Sequence, residues 1–172
     1  MKSLNIIPSQ WRRRCGTFFV SAALSLITLG IGVAPALTAP VPESVIRKIA
    51  ALQASQERWI LVDMTTQRLV ALEGKNPVYA IVISTGKDSS PTRPGIFKIQ
   101  TKYASSRMSG ADYDIPNVPY VMFYQGNYAI HGVYWHHQFG KPVSHGCVNV
   151  AVNHAQWLFD WASVGTPVVI IE

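Results

Sequence analysis

Cysteine and charge are both scarce in this sequence. Of its 172 residues, 14% are charged and only Cys15 and Cys147 are cysteines. Hydrophobic residues make up 48%, which is enough for a packed core and, with so little charge, excludes a disordered chain. The sequence has no internal repeat and no low-complexity tract. Its length predicts one domain, or one domain with an exported tail.

The basic residues give little support for a nucleic-acid partner. The net charge is +6, but four of the fifteen basic residues precede residue 37 and all nine acidic residues follow it. The remainder carries eleven basic and nine acidic residues, for a net charge of +2, without a dense Lys/Arg patch. We therefore expect no binding to nucleic acid.

Residues 1–36 have the three parts of a signal peptide. Arg12, Arg13 and Arg14 precede an apolar stretch from Phe18 to Val33, and the small residues Ala34 and Ala36 follow as a cleavage site. The alternative is an uncleaved anchor, since the apolar stretch is nearly long enough to span a membrane. In both cases the rest of the chain is exported, and a membrane contact would come only through an uncleaved signal.

Cleavage would leave a single cysteine, Cys147, because Cys15 lies inside the signal. The mature chain then has no internal disulfide, although it is exported to where disulfides normally form. A lone thiol in that compartment is either buried and inert or retained for its reactivity.

Hydrophobic periodicity predicts a mainly β fold, a β-sandwich or barrel with one late helix. Residues 37–57 are predicted as a linker or short helix, because Val45, Ile49 and Leu52 have helical spacing. From Trp59 the period changes to two, and strands are predicted at 59–63, 68–72, 78–84, 95–99, 120–123, 128–130 and 168–171. The segment 103–119 is polar and rich in turn residues, which predicts a long loop that acts as a lid. Asn153 is predicted to cap a helix from His154 to about Ser163.

The segment 130–150 places four of the five histidines around Cys147. A nearby imidazole can accept the thiol proton and form an ion pair with the thiolate, and a glycine turn lets backbone N–H groups reach an oxyanion. Zinc binding by His131, His136, His145 and Cys147 is a weaker alternative, because the spacing matches no compact finger. His136 and His137 are interpreted as exposed loop residues.

These residues carry a resemblance to a known family. His131-Gly132, followed sixteen residues later by Cys147 within Ser144-His145-Gly146-Cys147-Val148-Asn149, resembles the signature of the L,D-transpeptidase catalytic domain family (YkuD type). The upstream segments 84–86 (Ser-Thr-Gly) and 92–97 (Thr-Arg-Pro-Gly-Ile-Phe) are similar to its recurring segments. The resemblance covers residues 58–172, which we therefore predict to be the catalytic domain.

The resemblance implies a role for each matching residue. Cys147 would be the nucleophile and His131 its base, oriented by the carbonyl of Gly132, while the turn of His145, Gly146 and Cys147 would supply oxyanion donors. Substrate contacts are implied for Ser144, Trp135, Asn149 and, in the predicted lid, Tyr113. Many relatives carry arginine where this chain has Asn149. No metal or cofactor is implied.

The implied activity is a peptidoglycan L,D-transpeptidase in the periplasm or cell wall. Cys147 would form a thioester with a stem tetrapeptide and transfer it to an amine, and carbapenem-type inhibitors would bind at the same thiol. Two alternatives stay open: an L,D-carboxypeptidase, in which water resolves the thioester, and a non-catalytic wall-binding domain.

Overall fold

The computed structural model describes residues 41–172. The expected signal peptide, residues 1–36, and the start of the expected linker lie outside this range. Two helices and nine strands follow in chain order: α1 Glu43–Gln53, β1 Arg58–Asp63, β2 Arg68–Glu73, β3 Asn76–Val82, β4 Gly95–Lys98, β5 Thr101–Ser109, β6 Asp114–Gln125, β7 Tyr128–Val133, β8 Val148–Ala151, α2 Val152–Trp161 and β9 Pro167–Ile171.

The strands form two sheets, which confirms the predicted mainly β fold. The five-stranded sheet has the order β3-β2-β1-β9-β4, and the four-stranded sheet has the order β5-β6-β7-β8. The predicted hairpin of β1 and β2 is antiparallel, with Trp59 opposite Leu72. The closing strand β9 pairs in parallel with β1, with Ile60 opposite Val168.

The main core lies where the inner faces of the two sheets meet. Ile60 and Leu69 from one sheet and Met122 and Ile130 from the other belong to a single buried cluster, and α2 adds Leu158 to it. Burying large aliphatic side chains stabilises such a core by about 1.5–3 kcal/mol each. The four-stranded sheet contributes its inner face to this core. Its outer face, on the other side of the same strands, carries the cleft described below.

Helix α1 covers the outer face of the five-stranded sheet. Its Val45 and Leu52 pack with Trp59 and Val169 in a separate buried cluster, as their helical spacing predicts. No helix within residues 41–172 is both long and apolar enough to cross a membrane.

The prediction that residues 103–119 form a loop is wrong. The segment is most of a long antiparallel hairpin of β5 and β6, whose tip spans Gly110 to Tyr113. Most side chains of β5 are exposed, so the strand lacks the alternation of apolar and polar residues that identifies a half-buried strand. A register shift between Ser106 and Met108, and positive φ angles at Asn117 and Tyr120, further obscure the pattern.

Asn153 does not cap α2. The helix begins at Val152, and its N-cap position is Ala151, which makes no side-chain capping bond. Because β8 ends at Ala151, the chain passes from strand to helix without a connecting loop. Asn153 therefore lies within the first turn, where a capping residue predicted from sequence alone is easily placed one or two residues too late.

Strands β7 and β8 position the candidate site. They run parallel, with Ile130 opposite Val148 and His131 opposite Asn149. Ile130 and Val148 enter the main core, so the alternation of the strands turns Ala129 and His131 to the outer face. Ala129 packs there with Cys147 and with the hairpin residues Met108 and Tyr113.

Candidate active site

A cleft of about 360 Å³ lies on the outer face of the four-stranded sheet. Its size falls in the range of small-molecule and peptide pockets. The cleft is formed by the β5–β6 hairpin, by strands β7 and β8, and by the segment that joins β7 to β8. Its lining residues are Met108, Tyr113, Ile115, His131, Trp135, His136, Gln138, Val143, Ser144, His145, Cys147 and Asn149.

Cys147 and His131 share this cleft because of the strand register. Cys147 immediately precedes β8 and lies two residues before Asn149, the partner of His131 in β7. Side chains two residues apart on a strand face the same side, so Cys147 is a diagonal neighbour of His131 on the outer face. Both residues line the cleft.

His131 is held in one orientation by its neighbour in the chain. It is 3% exposed, and its Nδ1 lies 3.0 Å from the carbonyl oxygen of Gly132. A carbonyl oxygen only accepts, so Nδ1 carries the proton and Nε2 is free to accept one. The Trp135 ring stacks on the imidazole at 5.9 Å. Burial, more than any other effect, lowers the pKa of His131 to about 4.

Burial acts against ionisation of the Cys147 thiol. Its Sγ lies 3.7 Å from the carbonyl oxygen of Asn127, and burial raises the pKa of the Cys147 thiol to about 11, against a smaller opposing effect of a backbone hydrogen bond from Ala129. The two pKa shifts favour the neutral thiol and the neutral imidazole. Both shifts act against the ion pair expected from the sequence, because burial disfavours the charged form of each group.

The turn before Cys147 is shaped by the Ser144 hydroxyl. Ser144 Oγ donates to the carbonyl oxygen of Cys147 at 2.6 Å and accepts the N–H of Gly146 at 3.0 Å. Gly146 has a φ of 113°, and a Cβ at this position would lie 2.5 Å from Tyr128 Cε1. Glycine is therefore required here on two grounds, backbone conformation and space.

The Ser-Thr-Gly segment, residues 84–86, joins the two sheets at this turn. Ser84 exchanges two backbone hydrogen bonds with Asn149, at 2.9 and 2.8 Å, and the carbonyl oxygen of Thr85 accepts the N–H groups of Val143 and Ser144. The segment continues the edge strand β3, and β8 is the edge of the other sheet. These contacts bring a segment that is far from Cys147 in sequence against the turn that presents Cys147.

The hairpin tip contacts the same turn. The ring of Tyr113 lies 4.8 Å from the His145 imidazole, and His145 Nε2 is 3.1 Å from Asp112 Oδ2 and 3.1 Å from Lys87 Nζ. One ring nitrogen cannot donate to Asp112 and accept from Lys87 together, and the charged carboxylate favours the donor role. This hydrogen bond is the main cause that lowers the pKa of Asp112. The His145 side chain thus holds the tip of the hairpin.

His136 is the main residue that the sequence interpretation missed. It was expected to be an exposed loop histidine, but it is half-buried and lines the cleft. Its Nε2 lies 2.9 Å from the side-chain amide of Asn149, and its Nδ1 accepts the N–H of Gln138 at 3.1 Å. Neighbouring His137 is exposed, as expected. Sequence spacing carries no sign of the Asn149 contact, because it joins the irregular segment between β7 and β8 to a residue of β8.

The four residues weighed as zinc ligands do not form a set. Among residues 41–172, no three His, Cys, Asp or Glu side chains are grouped so as to hold a metal ion. His131, His136 and His145 instead contact Gly132, Asn149 and Asp112 respectively.

A two-sheet β fold with a cysteine, an oriented histidine and a glycine turn in one cleft has the features of a cysteine acyltransferase domain. The comparison with known families agrees with these features. Residues 57–170 match the model of the L,D-transpeptidase catalytic domain, YkuD. The chain belongs to this family.

Two curated relatives are similar to the chain. It is 30% identical over 123 residues to L,D-transpeptidase 2 of Mycobacterium tuberculosis (strain CDC 1551 / Oshkosh), covering 64% of this chain and 30% of that protein. It is 33% identical over 100 residues to L,D-transpeptidase 1 of Mycobacterium tuberculosis (strain ATCC 25618 / H37Rv), covering 51% of this chain and 40% of that protein. The chain thus spans less than half the length of either relative.

The fold is also similar to solved structures. The catalytic domain of the Enterococcus faecium L,D-transpeptidase superposes with a TM-score of 0.62 at 26% identity, over 67% of this chain and 98% of that one. The Ldtfm-avibactam carbamoyl enzyme superposes with a TM-score of 0.64 at 27% identity, over 67% of this chain and 49% of that one.

Proposed function

We propose that this chain is an exported peptidoglycan L,D-transpeptidase, with Cys147 as the nucleophile and His131 as the general base. The substrate is a tetrapeptide stem, and the attacked carbonyl belongs to its L-centred third residue. Export rests on the signal peptide expected in residues 1–36, and the peptidoglycan substrate rests on the family.

The reaction consists of two acyl transfers. In the first, His131 Nε2 accepts the thiol proton as Sγ bonds to the carbonyl carbon. The carbon–nitrogen bond then breaks, the imidazolium returns the proton to the leaving amine, and the D-residue departs from a thioester. In the second, the amine of another stem gives its proton to His131 and bonds to the same carbon, which releases the Cys147 thiol.

One observation carries this proposal: the hydrogen bond of 3.0 Å between His131 Nδ1 and the carbonyl oxygen of Gly132. It leaves Nε2 as a proton acceptor in the cleft that Cys147 also lines. Burial raises the pKa of Cys147 to about 11 and lowers that of His131 to about 4, so the neutral form of each group is favoured in the free protein. Proton transfer therefore accompanies the attack on the substrate.

We assign the oxyanion to the backbone N–H groups of His145 and Cys147. The third N–H of the turn, that of Gly146, is already donated to Ser144 Oγ. Ser144 thus shapes the turn through its hydroxyl. Backbone donors held in place before the reaction can stabilise the developing charge without reorganising at the moment of attack.

The hairpin supports transfer to an amine over hydrolysis. Met108, Tyr113 and Ile115 give the cleft an apolar wall on the hairpin side, and the contacts of Asp112 and Tyr113 with His145 hold that wall above the turn. A cover of this kind limits the access of water to a thioester. The sequence predicted that a loop would cover the thioester. A paired hairpin would limit the access of water in the same way, with a stiffer backbone.

Covalent inhibition by β-lactam-type compounds is part of the proposal. A similar structure is that of a carbamoyl enzyme formed with avibactam. A strained lactam carbonyl offers Cys147 the same kind of electrophile as a stem peptide, so carbapenem-type compounds are expected to acylate it.

The deciding experiment supplies purified tetrapeptide stems with and without a second, amine-bearing stem and measures the products by mass spectrometry. A cross-linked dimer as the main product supports the transpeptidase. Tripeptide as the main product at saturating acceptor identifies a carboxypeptidase. Unchanged tetrapeptide, together with measurable binding to cell-wall fragments, identifies a binding domain.

A further inference from the structure

His136 and Asn149 form a side-chain pair in the cleft that the chemistry proposed above does not use. Asn149 is 4% exposed, and its amide lies 2.9 Å from His136 Nε2. The other ring nitrogen, Nδ1, accepts the backbone N–H of Gln138 at 3.1 Å. The two contacts together determine where the imidazole carries its proton.

A neutral imidazole has one N–H group. Nδ1 accepts from Gln138, so Nε2 carries the hydrogen and acts as a donor. A donor cannot be paired with the NH₂ end of a carboxamide, which also donates. The end of Asn149 that faces Nε2 is therefore its oxygen, since the two ends of a carboxamide exchange places on a half-turn of the group and are distinguished by their hydrogen bonds.

The opposite end of the same carboxamide is then the NH₂ group. That position is buried and has no hydrogen-bond partner within the described residues, and it is the only such side-chain atom among the residues that line the cleft. A buried polar group without a partner is costly, so its occurrence beside a nucleophile points to a partner that arrives with the ligand. An NH₂ group requires an acceptor, which a peptide carbonyl or a carboxylate supplies.

We propose that His136 is a positioning residue: its Nε2–H holds the oxygen of Asn149, so that the NH₂ end of Asn149 is presented to an acceptor oxygen of the bound stem peptide. The inference rests on the proposed function for the identity of the ligand. The orientation of the pair rests on the hydrogen bonds alone. His136 therefore acts on substrate recognition through Asn149 and not on the thiol.

The orientation can be tested without activity. Long-range ¹H–¹⁵N correlation spectra of the protein, at a pH where His136 is neutral, distinguish a proton on Nε2 from a proton on Nδ1. We expect the Nε2–H form for His136 and the Nδ1–H form for His131, which donates to Gly132 and serves as an internal standard. An Nδ1–H form at His136 would overturn the proposal, whether or not the protein turns out to be a transpeptidase.

A set of variants tests the function of the pair. We expect His136→Ala and Asn149→Ala each to lower kcat/KM for the tetrapeptide about tenfold, the effect of one lost hydrogen bond of about 1.4 kcal/mol. The double variant should lose little more than either single one, because both changes remove the same contact. Additive losses would contradict action through Asn149. His136→Gln, which retains an N–H donor, should recover most of the activity, and His137→Ala is the matched control.

One further variant and one further measurement separate positioning from a general structural effect. Asn149→Asp retains an acceptor for His136 but removes the NH₂ group, so its loss should match that of Asn149→Ala. Activity near that of the unmodified protein would refute the donor role. Alkylation of Cys147 by iodoacetamide, which requires no peptide recognition, should be unchanged in His136→Ala. A slowed alkylation would show that His136 acts on the thiol instead.

Discussion

The hydroxyl of Thr92 donates to the carbonyl oxygen of Gly146 at 2.8 Å, across 54 residues of sequence. The hydroxyl oxygen of Thr92 in turn accepts the N–H of Gly86 at 2.8 Å, and Thr92 is 1% exposed. One buried side chain thus ties the Ser-Thr-Gly segment to the turn that presents Cys147. The orientation of the Gly146 peptide, and of the proposed oxyanion donors on either side of it, depends on this contact.

Thr92→Val is therefore expected to reduce both stability and turnover. The substitution retains the shape of the side chain but leaves a buried N–H and a buried carbonyl unpaired, at a cost of about 1–3 kcal/mol for each such group. Urea denaturation measures the free energy of unfolding, and the acylation rate reports on the turn. The control is Thr65→Val at an exposed position. Equal effects of the two changes would argue against the role of Thr92.

Cys147→Ser should abolish product formation while the fold remains. A serine hydroxyl is far less acidic than a thiol, and the neutral imidazole of His131 cannot readily remove its proton. Mass spectrometry of tetrapeptide reactions measures the loss, and thermal unfolding verifies that the fold persists. Product formation comparable to that of the unmodified protein would exclude Cys147 as the nucleophile.

The rate of Cys147 alkylation should rise with pH through the alkaline range. The pKa of the thiol is raised to about 11, so the thiolate fraction increases tenfold per pH unit below that value and levels off above it. His131→Ala should lower the rate at neutral pH, because it removes the base that assists the reaction. A flat rate between pH 5 and pH 8 would instead indicate a stable thiolate–imidazolium pair.

A carbapenem should form a covalent adduct at Cys147 with a stoichiometry of one. Opening of the strained lactam retains all atoms of the drug, so intact mass should increase by one whole inhibitor. Peptide mapping then identifies the modified residue, and Cys147→Ser provides the negative control. Modification at another residue, or none after long incubation, would count against the proposed acylation.

Gly110→Ala should shift the balance from transfer toward hydrolysis. A Cβ at Gly110 would lie 2.3 Å from Tyr113 Cε1, so the Tyr113 ring has to move away from its position near His145. The displaced ring would open the cleft to water. The ratio of tripeptide to cross-linked dimer measures the effect, and Ala111→Ser at the same exposed tip is the control. An unchanged ratio would show that the hairpin does not influence whether an amine or water accepts the acyl group.

The predictability of the fold from sequence follows the burial of each strand. In strands β1 and β2 every side chain after the first is at least partly buried, so apolar residues such as Trp59 and Leu69 identified them. Strand β5 is exposed on both faces over most of its length and gave no such signal. The parallel pairing of β9 with β1 joins segments far apart in the chain, a relationship that local periodicity does not contain.

The candidate site also contains residues that the sequence predicted and residues that it did not. Cys147, His131, His145 and Gly146 lie in one continuous segment with a recognisable spacing, and the structure brings them to one cleft or its rim. The histidine of the pair with Asn149 was missed because its burial depends on how the segment between β7 and β8 folds back onto β8. The raised pKa of Cys147 and the lowered pKa of His131 also lie beyond sequence, because burial in the folded cleft is the main cause of both shifts.

The two backbone hydrogen bonds between Ser84 and Asn149 bear on how this domain can be divided. A fragment that begins at β5 would contain Cys147, His131 and the whole hairpin, and in sequence it would look like a complete catalytic unit. It would lack β3 and the Ser-Thr-Gly segment that continues it, which hold β8 and the turn before Cys147 in place. The residues proposed for the chemistry lie in the second half of the domain, but the first half holds their turn in place, so we expect the second half alone to be inactive.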